Sequence, residues 1–142
     1  MTAIAVNEGL ALTEVRRTIT QEQIRRYADA AGDHNPVHID EAFARESAFG
    51  GTIAHGMLVL ALVSESLAAT FGQTWGEASR LKVRFRAPAR PGDTLTAGGS
   101  VRAIYEEEGT TFALCDIECR NERGDVLISG EARVPVDRGD GA

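Results

Sequence analysis

The order of the secondary-structure signals predicts an α+β fold, in which an antiparallel sheet wraps around one long buried helix. Two long helical patterns occupy the first half of the chain, and the second, at about residues 55–71, is apolar on every side from Met57 to Val63. A helix of that composition is normally buried all round. The second half alternates apolar and polar residues between turn signals, which is typical of an antiparallel meander. A sheet curved around an apolar helix is the hot-dog architecture, and we expect residues 1–142 to form one such domain.

The first helix is predicted at Gln21 to Ala31, because apolar residues recur on one face at helical spacing. Thr20 is its expected N-cap, Gln23 stands at the capping-box position, and Gly32 ends the helix. A polar loop, a short helix capped by Asp40, a glycine break and the long helix follow. The polar loop is predicted at 33–39 and the short helix from about 40. The glycine break is predicted at 50–52 and the long helix at about 55–71.

Five strand-like segments surround and follow the helices. They are expected at 13–19, 80–86, 94–105, 110–121 and 126–136, with turns at 88–93, 106–109 and 122–125. A sheet of this kind leaves exposed edges, which proteins commonly close by pairing with a second copy. We therefore expect a homodimer.

Composition excludes some classes of partner. The chain has 142 residues, 43% of them hydrophobic, and a formal net charge of −6, which counts against nucleic acid as a main partner. The N-terminal segment 1–10 has no signal-peptide pattern, and the longest apolar run, 56–63, is far shorter than a membrane span. We expect a cytoplasmic protein without a membrane partner. Cys115 and Cys119 lie too far apart along one predicted strand for a disulfide, so we expect buried free thiols.

The segment Gly32-Asp33-His34-Asn35-Pro36-Val37-His38 places a carboxylate and an imidazole five residues apart between two helices. Histidine titrates near neutrality and a carboxylate accepts hydrogen bonds strongly, so Asp33 and His38 could share and activate one water molecule. Addition of water to a C=C bond conjugated with a thioester needs such a pair, which supplies the base and the acid. It also needs a donor for the enolate-like oxygen.

That donor is expected at the start of the long helix, within Ala54-His55-Gly56-Met57. Unpaired amides and the helix dipole both favour negative charge at a helix N-terminus, and Gly56 has no side chain to obstruct a ligand. Farther along the helix, the hydroxyl of Ser64 interrupts an apolar face. We expect it to have a hydrogen-bond partner.

These two motifs, in this order and spacing, resemble those of the MaoC-like hydratases, which include the (R)-specific enoyl-CoA hydratases. The resemblance covers about residues 18–136. It implies that Asp33 and His38 are the catalytic pair and that the amide of Gly56 is the oxyanion donor. Asn35 would hold the loop, and Ser64 would support the hydrogen bonding of the site. The implied reaction is reversible syn-hydration of a trans-2-enoyl-CoA to the (R)-3-hydroxyacyl-CoA, without metal or organic cofactor.

Other interpretations of the site residues stay open. His34 is expected to face solvent, and His55 to have a structural or supporting role. A metal site built from Asp33, His34, His38 and His55 is disfavoured because Pro36 interrupts the helical spacing of the first two histidines. Met57, Leu58 and Leu62 could be core or substrate-lining.

The substrate and the reaction also have alternatives. A 3-hydroxyacyl thioester carried by acyl carrier protein would use the same residues. A thioesterase would rely on a carboxylate of the long helix, for which Glu65 is available, and a non-catalytic acyl-binding subunit is a third possibility. The alternating Arg80, Lys82, Arg84 and Arg86 either form a solvated outer face or, with Arg90, contact the phosphates of coenzyme A.

Overall fold

Five strands form one antiparallel sheet in the computed structural model, which describes residues 6–137. They are β1 (Val15–Thr18), β2 (Arg80–Phe85), β3 (Thr94–Glu107), β4 (Thr110–Arg120) and β5 (Val126–Pro135). The order across the sheet is β1-β3-β4-β5-β2, so β1 and β2 are the edges. The predicted strands and the hot-dog arrangement are confirmed, and the turn expected at 106–109 is tighter because β3 continues to Glu107. The predicted domain range 1–142 and the segment 1–10 extend into residues outside the described ones.

The first helix, α1 (Gln21–Ala31), has the predicted boundaries. The Thr20 side chain accepts a hydrogen bond from the amide of Gln23, and the Gln23 side chain accepts one from the amide of Thr20. Gly32 follows in the left-handed conformation, with φ of 71°, a region that favours glycine. This abrupt end turns the chain away from the helix axis immediately before Asp33.

The predicted polar loop 33–39 contains a one-turn helix, α2 (Pro36–Ile39), so the loop assignment is wrong in its second half. The Asn35 side chain caps this turn by accepting from the amide of Val37, and proline is well suited to the first helical position. The next short helix is α3 (Glu41–Arg45). The Asp40 carboxylate accepts from the amide of Phe43, which confirms Asp40 as its N-cap.

The long helix, α4 (Gly56–Phe71), packs against the concave face of the sheet through one side only. Its buried residues are Val59, Leu62, Val63, Ser66, Leu67 and Thr70. The prediction that 57–63 is buried on every side is wrong for the single chain, and Met57 is not a core residue, because its exposed fraction is 59%. A five-stranded sheet covers one face of a helix, and the opposite face of α4 stays apolar and open.

The apolar composition of α4 has a second consequence. Together with the 3₁₀ turn Gly72–Gly76 it forms a helical stretch of 21 residues, within which an 18-residue window has a mean hydropathy of 1.3. By length and composition alone this stretch could cross a membrane. Packing on the sheet accounts for the apolar residues of the buried side of α4, since a core helix needs an apolar face to bury.

Two glycines, one on each strand that pairs with β4, allow neighbouring strands to approach closely. Gly99 of β3 pairs with Ile117 of β4, and Ile117 pairs with Gly130 of β5. A Cβ atom on Gly99, which has φ of 151°, would overlap the carbonyl oxygen of Asp116, and a Cβ on Gly130 would overlap that of Lys82. Glycine inside a strand commonly marks such a close approach.

The core lies between the concave face of the sheet and α4. Its fully buried side chains include Leu67 of α4, Leu95 of β3, and Leu127 and Ile128 of β5. Cys115 and Cys119 are free and buried, as predicted, and burial raises the pKa of each thiol to about 11. Both thiols therefore stay protonated at neutral pH and serve as core side chains.

The basic side chains of β2 point away from α4, while Leu81 and Val83 point toward the core. Lys82, Arg84 and Arg86 line a groove of about 370 Å³ on the outer face of the sheet. Within residues 6–137, none of these three cations is in an ion pair, and Arg86 donates to the Ser129 hydroxyl at 2.6 Å.

We predict that Gly130→Ala destabilises the protein by about 2 kcal/mol or more, because the added methyl group requires β2 and β5 to separate. The measurement is the free energy of unfolding in urea. Gly76→Ala is the matched control, since a Cβ added at Gly76 would meet no other side chain or strand within 4 Å. Equal stability of the Gly130→Ala and Gly76→Ala proteins would contradict the close approach of the two strands.

Candidate active site

His38 is held in α2 with one ring nitrogen committed to the backbone. Its Nδ1 lies 2.8 Å from the carbonyl oxygen of Ile53, and the residue is 9% exposed. A carbonyl can only accept, so Nδ1 must carry the proton and donate it. In the neutral ring, Nε2 is then left with a free lone pair. This is the tautomer that a general base requires.

Asp33 stands in the exposed turn between α1 and α2. Its amide donates to the carbonyl of Ala28 at 3.1 Å, which fixes the residue just beyond the end of α1. Its carboxylate accepts from the amide of Asn35 at 3.3 Å. Asn35 therefore makes two hydrogen bonds in this turn: its side chain accepts from the amide of Val37, and its amide donates to the Asp33 carboxylate. The prediction that Asn35 holds this loop agrees with these contacts.

The turn brings Asp33 and His38 together, with His55 beside them. One carboxylate oxygen of Asp33 and one ring nitrogen from each histidine all lie within 4.8 Å of one another. Two groups that both hydrogen-bond one water molecule at about 2.8 Å, in roughly tetrahedral directions, are separated by about 4.6 Å. The spacing therefore suits a single water shared by Asp33 and His38.

Gly56 begins α4 directly beside this cluster. The residue before it, His55, makes no side-chain cap, and the amide of Gly56 has no acceptor among the backbone hydrogen bonds of residues 6–137. A free amide at the first position of a 16-residue helix is a donor reinforced by the helix dipole. A substrate oxygen that gains negative charge could accept from it.

An apolar cavity of about 320 Å³ adjoins Gly56. Its lining includes Phe49, Ile53, Ala54, Gly56, Val59 and Phe85, with Arg86 at its edge. The Phe85 ring approaches so closely that a Cβ on Gly56 would lie 3.1 Å from it. The absence of a side chain at position 56 therefore allows the Phe85 ring to pack directly against the start of α4. Asp33 and His38 do not line the cavity, but Ile53, which accepts from His38, and Gly56, which follows His55, do.

His55 is almost fully buried, at 3% exposure. Its Nε2 donates to the backbone carbonyl of Asp33 at 3.0 Å, and its ring stacks on that of His38 with centroids 3.8 Å apart. Tyr27 of α1 also contacts the His55 ring, in a tilted arrangement with ring centroids 4.8 Å apart. These contacts agree with the expected supporting role of His55.

The cluster of Asp33, His38 and His55 also has the spacing of a metal site. The two imidazole rings are nearly parallel, with an interplanar angle of 26°. A metal ion binds in the plane of a ring, and the in-plane lone pairs of stacked rings lie side by side instead of converging. The geometry favours a shared water over a metal ion. His34 is not part of the cluster, because its exposed ring contacts Asp29 at 2.9 Å.

Gln21 supports the site, a role that the sequence does not predict. Its amide nitrogen donates to the carbonyl of His38 at 2.9 Å, and its oxygen accepts from the Thr52 hydroxyl at 2.8 Å. Thr52 in turn donates its amide to the carboxylate of Glu41 at 3.3 Å, which lowers the pKa of that carboxyl. Glutamine at the start of a helix is common, so the sequence carries no specific signal for this contact.

Two helix residues with predicted roles lie apart from the cluster. The Ser64 hydroxyl accepts from the indole of Trp75 at 2.9 Å, so it has the expected partner. Ser64 is eight residues beyond Gly56, which corresponds to about 12 Å along the helix. The Glu65 carboxylate is paired with Arg17 of β1. Neither Ser64 nor Glu65 therefore hydrogen-bonds to Asp33 or His38 in the described structure.

Comparison with known proteins shows the family. The model of the MaoC like domain matches residues 6–112. The chain is 32% identical over 133 residues to the (R)-specific enoyl-CoA hydratase of Rhodospirillum rubrum, covering 92% of this chain and 88% of that protein. It is 30% identical over 130 residues to the 3-hydroxybutyryl-CoA dehydratase of Methylorubrum extorquens, covering 91% and 81% respectively. The chain belongs to the MaoC-like family.

A solved structure gives the same result. The (R)-hydratase from A. caviae involved in PHA biosynthesis superposes with a TM-score of 0.79 at 28% sequence identity, covering 95% of this chain and all of that one. The relatives are hydratases and dehydratases. The chain is accordingly a hydro-lyase, an enzyme that adds water to a double bond or removes it, and the shared-water geometry of its site suits that reaction.

Proposed function

We propose that this enzyme catalyses the reversible hydration of a trans-2-enoyl-CoA to the (R)-3-hydroxyacyl-CoA. The observation that carries the proposal is the convergence of the Asp33 carboxylate and a His38 ring nitrogen beside the free amide of Gly56. The acyl-CoA substrate and the (R) configuration are supported by the names of the relatives and by the motif resemblance.

The reaction uses one water molecule between Asp33 and His38. One member of the pair removes a proton as the water oxygen bonds to C3, and electrons of the C=C bond move onto the thioester oxygen. The amide of Gly56 donates to that oxygen while it is negatively charged. The proton held by the pair is then delivered to C2, and the thioester carbonyl re-forms. Both additions come from the side of the pair, which gives syn stereochemistry.

The nucleotide end of coenzyme A has a route along the sheet. Arg86 borders both the apolar cavity beside Gly56 and the outer groove lined by Lys82 and Arg84. Arginine is well matched to phosphate oxygens, and these cations have no ion-pair partner in the described part of the chain. This arrangement supports contact of the groove with the CoA phosphates.

A thioester carried by acyl carrier protein is the alternative substrate. The chain is 30% identical over 118 residues to the mitochondrial 3-hydroxyacyl-[acyl-carrier-protein] dehydratase of Arabidopsis thaliana, covering 82% of this chain and 69% of that protein. Assay of crotonyl-CoA hydration by the purified chain separates the two substrates. Turnover without carrier protein or partner supports the CoA substrate, and turnover only after addition of carrier protein would overturn it.

Asp33→Asn and His38→Ala are each expected to lower the rate of hydration by at least about 10²-fold, because each removes a proton-transferring group. The measurement is loss of enoyl-thioester absorbance together with the chirality of the product. Near-wild-type turnover by either variant would refute the assignment.

Ser64→Ala is the control variant for this experiment. It removes a hydroxyl that is bonded to Trp75 and lies away from the pair, so we expect a smaller loss of rate. Circular dichroism checks that all three variants fold. Asp33 is exposed and its turn is polar, so Asp33→Asn should leave the free energy of unfolding close to that of the wild type.

We also propose that the enzyme is a homodimer. Strand β2 is an edge of the sheet, and exposed apolar side chains lie near it and at the start of α4: Phe85 is 55% exposed and Met57 59%. A second copy could cover this apolar face and pair with the open edge.

Met57→Glu tests the dimer, because it places a charge on the apolar face. Light scattering should give twice the chain mass of 15.2 kDa for the wild type and a lower mean mass for Met57→Glu. Thr110→Glu, at the exposed turn between β3 and β4, is the control and should keep the wild-type mass. A wild-type mass of one chain would rule out the dimer.

A further inference from the structure

His55 stands where three parts of the site meet. Its side chain donates to the backbone of Asp33, its ring lies against that of His38, and its own carbonyl is followed by the amide of Gly56. The residue is 3% exposed, so its ring has little freedom to move independently of these contacts. A change in the position of this ring therefore alters the placement of the base, the turn and the amide donor together.

The hydrogen bonds of the ring define its protonation state. Nε2 faces a carbonyl oxygen, which can only accept, so Nε2 carries a proton. Nδ1 is buried and has no hydrogen-bond partner among residues 6–137. A second proton there would create a buried, unpartnered N–H on a charged ring, which is strongly disfavoured. The ring of His55 is thus held as the neutral Nε2–H tautomer.

The neutral ring matters because of its neighbour. The titratable side chains that face it are His38, Asp33 and, from α1, Tyr27. When His38 takes a proton from water, the positive charge develops against the face of the His55 ring. Two charged imidazoles at this separation would repel each other. Neutrality of His55 therefore leaves His38 as the one histidine of the stack that accepts the proton.

We propose that His55 is a positioning residue: as a neutral Nε2–H imidazole it fixes the Asp33 turn and the His38 ring against the amide of Gly56. This inference rests on the proposed hydratase function and extends it to the residue that aligns the catalytic groups. The bond from Nε2 to the Asp33 carbonyl sets the turn, and the stack sets the plane of the base.

Two substitutions distinguish the contribution of the hydrogen bond to Asp33 from that of the ring stack on His38. His55→Phe keeps an aromatic ring for the stack and loses the donor to Asp33. His55→Gln loses the ring, but its amide nitrogen can reach the position of Nε2 and donate to the same carbonyl. We expect His55→Phe to lower kcat about 10- to 100-fold, with KM changed less than about threefold, because misplaced catalytic groups slow the chemical step. His55→Gln should recover part of the lost kcat.

The control is His34→Gln in the same turn. The His34 ring is exposed and contacts only Asp29 in the described structure, so kcat should stay within about twofold of wild type. Thermal unfolding of each variant is measured alongside. Wild-type kcat in His55→Phe would overturn the inference, and so would equal losses in both His55 variants that follow their loss of thermal stability.

Nitrogen NMR of the imidazoles in the wild-type enzyme gives a readout that does not depend on activity. At a pH where the ring is neutral, His55 should show the signals of the Nε2–H tautomer, because Nε2 faces a carbonyl oxygen. An Nδ1–H tautomer of His55 would overturn the inference. Failure of the wild-type enzyme to hydrate any enoyl thioester would instead refute the proposed function, and the NMR result would be unaffected.

Discussion

Two hydrogen bonds from imidazole rings to backbone carbonyls join the turn after α1 to the segment that precedes α4. His38 donates to Ile53, and His55 donates to Asp33, so each segment supplies one donor and one acceptor to the other. Both rings must then hold the proton on the nitrogen that faces the carbonyl. The same pair of bonds therefore joins the two segments and leaves His38 with a free lone pair on Nε2, and one ring nitrogen of His38 lies within 4.8 Å of a carboxylate oxygen of Asp33.

The sheet supports this arrangement because α4 packs against it. The strands approach each other closely at Gly99 and Gly130, and α4 packs against one face of the sheet. The helix begins at Gly56, and because His55 makes no side-chain cap, the amide of Gly56 is left without an acceptor in the described structure. The sheet does not cover the other apolar side of α4, and in the proposed dimer a second copy covers it.

Much of the fold could be predicted because its signals are local. The capping box of α1 and the alternation of the strands depend on residues close in sequence, and both are confirmed. Helical periodicity does not reveal what covers a helix, which is why the prediction of a buried Met57 is wrong. The Asp33–His38 convergence is expected from spacing, whereas the contact of Gln21 with the His38 carbonyl joins residues 17 apart through an ordinary polar side chain. No local pattern marks such a contact.

In the proposed reaction, Asp33 and His38 act on the same oxygen atom. The 3-hydroxyl oxygen of the hydrated product is the atom that entered as water, so a crystal structure of the Asp33→Asn enzyme with (R)-3-hydroxybutyryl-CoA tests this most directly. We predict that this oxygen lies within about 3 Å of both the substituted side chain at position 33 and Nε2 of His38, with the thioester oxygen accepting from the amide of Gly56. A 3-hydroxyl group bound away from either side chain, or a thioester turned away from Gly56, would contradict the shared-water mechanism.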